Sequence, residues 1–197
     1  MNPRFAPWPA AADEVAEPAR ALTVEALTAE AFAPFGRVLG GGYDPTVTGF
    51  SHPGSDFWHV HDFDAGTGGQ VEVLWVNYRN DSLRLRVLEA HWLTEQAIVP
   101  LGGEIVHVVC PGRDDDPRTP DLARLRAFRV GDGQGVCMQP GCWHASFVLA
   151  GQTTCLMLTR HSTTADLVEA LQGRHDAVES SIVELAALGE GEVALQV

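Results

Sequence analysis

A chain of 197 residues with 45% hydrophobic content is long enough for one domain with a core of adequate size. Its net charge of −13 argues against nucleic acid, which needs a basic footprint, and against an anionic membrane surface. All 13 basic residues are arginine, which excludes a Schiff-base lysine, a pyridoxal-phosphate anchor and a P-loop lysine, and no organic cofactor is expected. No apolar run approaches the roughly 20 residues that span a bilayer. The opening MNPRFAPWPAAADEVAEPAR has acids and prolines where a signal peptide needs an apolar stretch, so a cytoplasmic location is the expectation. Cys110, Cys137, Cys142 and Cys155 then read as reduced, buried thiols.

In chain order, residues 1–22 read as a flexible arm rich in Ala, Pro and Glu. Thr28 caps a short helix ending at Phe32, stopped by Pro34 and Gly36. Residues 40–55 read as a loop. In Asp56–Phe63, His59 and His61 stand two apart, which on a strand puts both on one face, either as metal ligands or as an exposed polar edge. Val71–Tyr78 has the β-branched and aromatic content of a strand. His107, flanked by valines in the strand Glu104–Cys110, reads as a satisfied histidine. Strands are also expected over Leu122–Val130, Cys142–Leu149 and Thr153–Arg160, with Gly and Pro between them. At least seven short strands of this kind predict a mainly β sandwich or barrel. From residue 163 onward, Leu167, Leu171, Val178, Ile182 and Leu185 recur at helical spacing. They predict two helices split at Gly173, packed on the barrel or on a partner subunit.

The stretch Leu83–Glu104 carries the strongest anomaly. Leu83, Leu85 and Val87 alternate with Arg84 and Arg86, and the same period places Glu89 and His91 on the apolar face. Two readings fit: a frayed end with both groups in solvent, or a buried acid and imidazole that must be paired, ligated or used. A second block, Gly133–His144, contains Pro140-Gly141 and then His144. Cys142, two residues earlier, has no activating cation evident in the sequence.

Together the blocks Glu89-x-His91-x4-Gln96-x6-Gly103 and Gly133-x6-Pro140-Gly141-x2-His144 resemble the two-part cupin signature. Cupins fold as a double-stranded β-helix, or jelly-roll barrel, around one divalent metal held by three histidines and a glutamate. Here Glu89 replaces the first histidine and Gln96 the glutamate. With LEAHWLTEQAIVPLGGE, PDLARLRAF and GCWH, the chain resembles the ureidoglycolate lyase family of the cupin superfamily over roughly residues 23–160. The resemblance implies a cupin barrel over residues 23–162 with a helical extension over 163–197. It also implies a homodimer that cleaves ureidoglycolate to glyoxylate and urea in allantoin breakdown, with Glu89, His91, Gln96 and His144 in the pocket. His61-Asp62 matches a His-Asp pair of family members, and Trp143-His144 matches the family's W-H pair. Glu89, His91, Gln96 and His144 would form the ligand set of any divalent metal, such as Zn, Mn, Ni or Fe.

Elimination from a hemiaminal needs a base for the hydroxyl proton, an acid for the leaving nitrogen, and a partner for the carboxylate. The expected roles are His91 or Glu89 as base, His144 as a second proton-transfer group, and Gln96 against the urea. Arg160 is expected at the substrate carboxylate and His61 and Trp143 around the substrate. A metal-dependent cupin acting on another small carboxylic acid as a lyase, isomerase or dioxygenase, or a non-catalytic binding cupin, are the alternatives.

Overall fold

A computed structural model of the chain describes residues 20–80 and 82–197. Its first half contains β1 (Arg20–Ala26), α1 (Ala29–Phe32), β2 (Gly36–Gly40), β3 (Gly49–His52), β4 (Ser55–Trp58), β5 (Val71–Arg79), β6 (Arg84–Leu85) and β7 (Val87–His91). The second half adds β8 (Gln96–Pro100), β9 (Ile105–Cys110), β10 (Arg126–Val130), β11 (Gln134–Met138), β12 (Trp143–Val148) and β13 (Gln152–Arg160). It ends in α2 (His161–Leu171), β14 (Ser180–Glu184) and β15 (Val193–Gln196). The short helix forms where expected, with the Thr28 hydroxyl accepting from the Ala31 N–H at 3.1 Å.

Two sheets make the cupin-type barrel. Eight strands run in the order β14-β7-β12-β9-β10-β1-β15-β6, and five in the order β2-β11-β8-β13-β5. One core fills the space between them, with Ile98, Val136, Met138 and Met157 from the smaller sheet against Ile105, Val109, Phe128 and Val148 from the larger. A second core covers the other face of the larger sheet, built from Leu88, Ala90, Val106, Val108, Trp143, Leu185, Val193 and Leu195. Burial on both faces explains why β9 reads IVHVVC and has all six residues buried, without the alternation of a solvent-facing strand.

The C-terminal segment departs from the expected helix pair. Residues 161–171 are helical, but Ser180–Glu184 pairs antiparallel with β7, and Val193–Gln196 pairs with β1 and β6. The helical spacing of Val178, Ile182 and Leu185 was a coincidence that strand pairing overrides: Ile182 faces Glu89, and Leu185 is buried in the second core. At the other end Arg20 already belongs to β1, so residues 20–22 of the expected arm are strand, while residues 1–19 lie outside the described residues. The expected loop over 40–55 contains β3, which pairs with β4 as a hairpin. Leu122–Arg124 is a 3₁₀ turn, so that strand begins only at Arg126. Among the described residues, no helix is long and apolar enough to cross a membrane.

Candidate active site

The central stretch is a strand whose phase changes once. Leu85 in β6 packs in the second core with Leu88 and Ala90, while Glu89 and His91 in β7 take the opposite face. The break at Arg86 therefore separates them from the leucines they were expected to accompany. Glu89 lies across the sheet from His144 on β12. The turn before β12 is tied to the end of β7 by the Gly141 N–H, which donates to the His91 carbonyl at 2.7 Å. Gly141 has φ +79°, and a Cβ there would lie 3.3 Å from the Trp92 ring.

The His144 imidazole is oriented from behind. Its Nδ1 lies 3.0 Å from the Cys142 carbonyl, which can only accept, so Nδ1 carries the hydrogen and Nε2 presents a lone pair. That lone pair sits 3.2 Å from Glu89 Oε1. Two acceptors held this close call for a cation between them, a proton or a metal ion. His91 Nδ1 is 2.9 Å from the Ser180 hydroxyl, and its ring centre is 5.3 Å from that of His144. A third imidazole, His107, reaches Ser146 Oγ with Nδ1 and Met138 Sδ with Nε2, both at 3.0 Å, and its ring centre is 5.8 Å from that of His144.

Burial disfavours the charged imidazole, pushing His91 down to about 4 and His107 to about 3, so both are neutral at pH 7. Burial raises the Glu89 carboxyl, but a proton held between it and His144 Nε2, with His91 and His107 behind it, outweighs that and holds it near 2. An anionic carboxylate thus stands among imidazoles whose Nε2 atoms can accept a proton or a metal.

The smaller sheet supplies the facing wall. Gln96 on β8 pairs with Met138, and Thr159 on β13 pairs with Glu72 on β5. Among the described residues, five buried side-chain atoms have no hydrogen-bond partner: Glu72 Oε1, His91 Nε2, Gln96 Oε1, His144 Nε2 and Thr159 Oγ1. Buried polar atoms are rarely left unpaired, and these belong to the residues of one barrel interior. Nearby, burial and then the charge of Glu89 push the Tyr78 hydroxyl well above its ordinary range.

The family model of ureidoglycolate lyase matches residues 19–179. The chain belongs to the ureidoglycolate lyase family. The ureidoglycolate lyase of Rhodobacter capsulatus is 36% identical over 126 residues, which cover 62% of this chain and 75% of that protein. The ureidoglycolate lyase of Pseudomonas paraeruginosa is 34% identical over 128 residues, covering 64% and 74%. Among solved structures, a dTDP sugar isomerase of Desulfovibrio desulfuricans is similar at 17% identity and TM-score 0.42, covering 79% of this chain and 88% of that one.

Of the residues expected in this ureidoglycolate lyase-family pocket, Glu89, His91 and His144 come together: their ligand atoms all lie within 4.8 Å of one another. Gln96 is buried on the facing wall. Three others are placed elsewhere. Trp143 alternates with His144, so its ring packs in the second core against Trp92 and its indole N–H donates to the Pro117 carbonyl at 3.2 Å. Arg160 shares a face with Leu156 and Leu158 as expected, but that face is the outer one, since Thr153, Cys155, Met157 and Thr159 are the buried set. Its guanidinium donates to Ser162 Oγ at 2.7 Å and to the Ala65 and Thr67 carbonyls at 3.1 and 3.3 Å. His61 meets Glu95 at 2.8 Å, and Glu95 also receives the Asp64 N–H at 2.9 Å. Cys137 completes that cluster from β11, on the face opposite Met138. His59 and His61 do not share a strand face, because β4 ends at Trp58 and His59 turns to Asp62 instead. Cys142 is buried and its thiol is pushed up by that burial, which leaves it inert.

Sequence reasoning missed Glu72, Thr159 and Ser180, whereas His107 is the satisfied histidine it was expected to be, with partners at both ring nitrogens. Glu72 had a signal, an acid on the same face as Leu74 and Val76, but Val71, Val73 and Trp75 make the other face equally apolar and hide the phase.

Proposed function

We propose that this protein cleaves ureidoglycolate to glyoxylate and urea, as a step of purine breakdown, inside the barrel between β7, β12 and β8. The observation that carries the proposal is the buried, unbonded His91 Nε2 beside the Glu89–His144 pair, in which His144 Nε2 lies 3.2 Å from an ionised Glu89.

His91 Nε2 is the proton acceptor. Neutral at pH 7 and backed by Ser180, it takes the hydroxyl proton of the substrate; the O–H electrons become the second bond of the glyoxylate C=O. The C–N bond breaks with its electron pair passing to the ureido nitrogen, and His91 returns the proton there to give urea. Glu89 stabilises the transient imidazolium, and the fixed Nδ1–H of His144 keeps that ring aimed at the same point. The barrel wall excludes water, which strengthens these interactions.

The donor set also fits a divalent cation. Glu89, His91 and His144 would hold it, with Gln96 as a fourth ligand, and Ser180 and the Cys142 carbonyl would orient the two imidazoles. When bound, such an ion supplies Lewis-acid polarisation of the substrate hydroxyl and carboxylate. This matters because Arg160, the expected carboxylate partner, is committed elsewhere. The outer face of the smaller sheet, where Val73 and Trp75 are 60% and 66% exposed, supports a homodimer through this surface.

The test is turnover and metal content of His91→Ala and Gln96→Ala. His91→Ala is expected to lose about 10²–10⁴-fold in kcat/KM; wild-type turnover of ureidoglycolate in both variants rejects the site.

A further inference from the structure

Three of the partnerless oxygens form a row. Thr159 stands opposite Glu72 across β13 and β5. On its other side, one step beyond the Leu158–Ala97 pair, the register brings Thr159 beside Gln96. The residues two positions along, Leu74, Met157 and Ile98, all belong to the barrel core, so the row points inward. Met138, next to Gln96, contacts His107 Nε2, and His107 neighbours His144, so the row faces the imidazole cluster. Adjacent strands are about 4.8 Å apart, so the three residues span roughly 10 Å.

Glu72 Oε1 and Gln96 Oε1 can only accept hydrogen bonds, and the Thr159 hydroxyl engages neither. The other oxygen of Glu72 is held 3.2 Å from His161 Nδ1 at the start of α2. An acceptor-lined wall bearing a carboxylate repels an anionic group and suits a planar group with several N–H donors.

We propose that Glu72 and Thr159, with Gln96, form the subsite for the N–H groups of a ureido ligand, and that Glu72 is the specificity-determining residue. This rests on the ureidoglycolate reading and adds the orientation of the substrate: ureido end on the smaller sheet, hydroxyl toward His91. It predicts selection of urea derivatives over plain hydroxy or keto acids, which lack the N–H groups these oxygens would accept.

The experiment compares binding of oxalurate, a stable ureido carboxylate, with oxalate, which lacks the ureido group. Calorimetry would use the wild type and the Glu72→Gln, Thr159→Val and Thr159→Ser variants. Glu72→Gln and Thr159→Val are expected to weaken oxalurate about tenfold or more while leaving oxalate within twofold. Thr159→Ser, which keeps the hydroxyl, retains affinity. Turnover of ureidoglycolate by Glu72→Gln falls mainly through KM. Unchanged oxalurate affinity in both removing variants, equal weakening of both ligands, or no oxalurate binding by the wild type overturns the subsite. Failure of the functional reading looks different: the wild type releases no glyoxylate, yet oxalurate binds and its affinity still depends on Glu72.

Discussion

His91 and His107 are stored in the barrel as neutral imidazoles, and that storage has a thermodynamic consequence. In the unfolded chain both protonate near 6.5, whereas in the fold burial delays this to about 4 and about 3. As pH falls from about 6.5 toward 4, the unfolded state therefore binds more protons and stability drops, by about 1.4 kcal/mol per pH unit for each group. Urea denaturation in a chelating buffer should show this loss between pH 6.5 and 4; a flat profile across that window would mean that the imidazoles are not buried as neutral groups. Single residues also mark where the sequence was legible. An acid and a histidine on an apolar period are visible without any structure, and so is a histidine after a Pro-Gly turn. Arg160 lies on the outer face because strand alternation gives which residues share a face but, when both faces are apolar, not which is inner; Trp143 was drawn in by the W-H pair, and its alternation with His144 turns it to the other side.

At the scale of elements, β14 explains more of the site than its sequence suggests. It covers the free edge of β7 and brings Ser180 to His91 Nδ1. Ser180→Ala should leave the fold intact but loosen the ring, lowering kcat with a change in Tm of only a few degrees. The segment after β14 is structural. Leu185 is 1% exposed in the second core, so Leu185→Ala should cost about 2–5 kcal/mol by denaturant titration; a loss below about 1 kcal/mol would contradict its placement there. The strands of the barrel and the Thr28-capped helix were readable from local chemistry, periodicity and turn residues. The terminal strands were not, because their pairing partners, β7 for β14 and β1 and β6 for β15, lie far away along the chain and short apolar runs fit either period.

For the molecule as a whole, the two sheets divide the polar groups of the barrel: the larger carries Glu89, His91 and His144, the smaller carries Glu72, Thr159 and Gln96, and its outer face carries exposed Val73 and Trp75. A homodimer through that face predicts that Trp75→Asp runs as a monomer in light scattering while the wild type runs as a dimer. Family membership and the cupin architecture were both legible in the two motif blocks, since the ligand-position residues and the turn glycines sit at fixed spacings. The central claim concerns the reaction, and the most direct measurement is product analysis of the purified protein incubated with ureidoglycolate. The proposed lyase releases glyoxylate and urea in equal amounts, without free ammonia, and His91→Ala releases neither above background. Ammonia in place of urea, or no glyoxylate from the wild type in the presence of divalent metal, would contradict it.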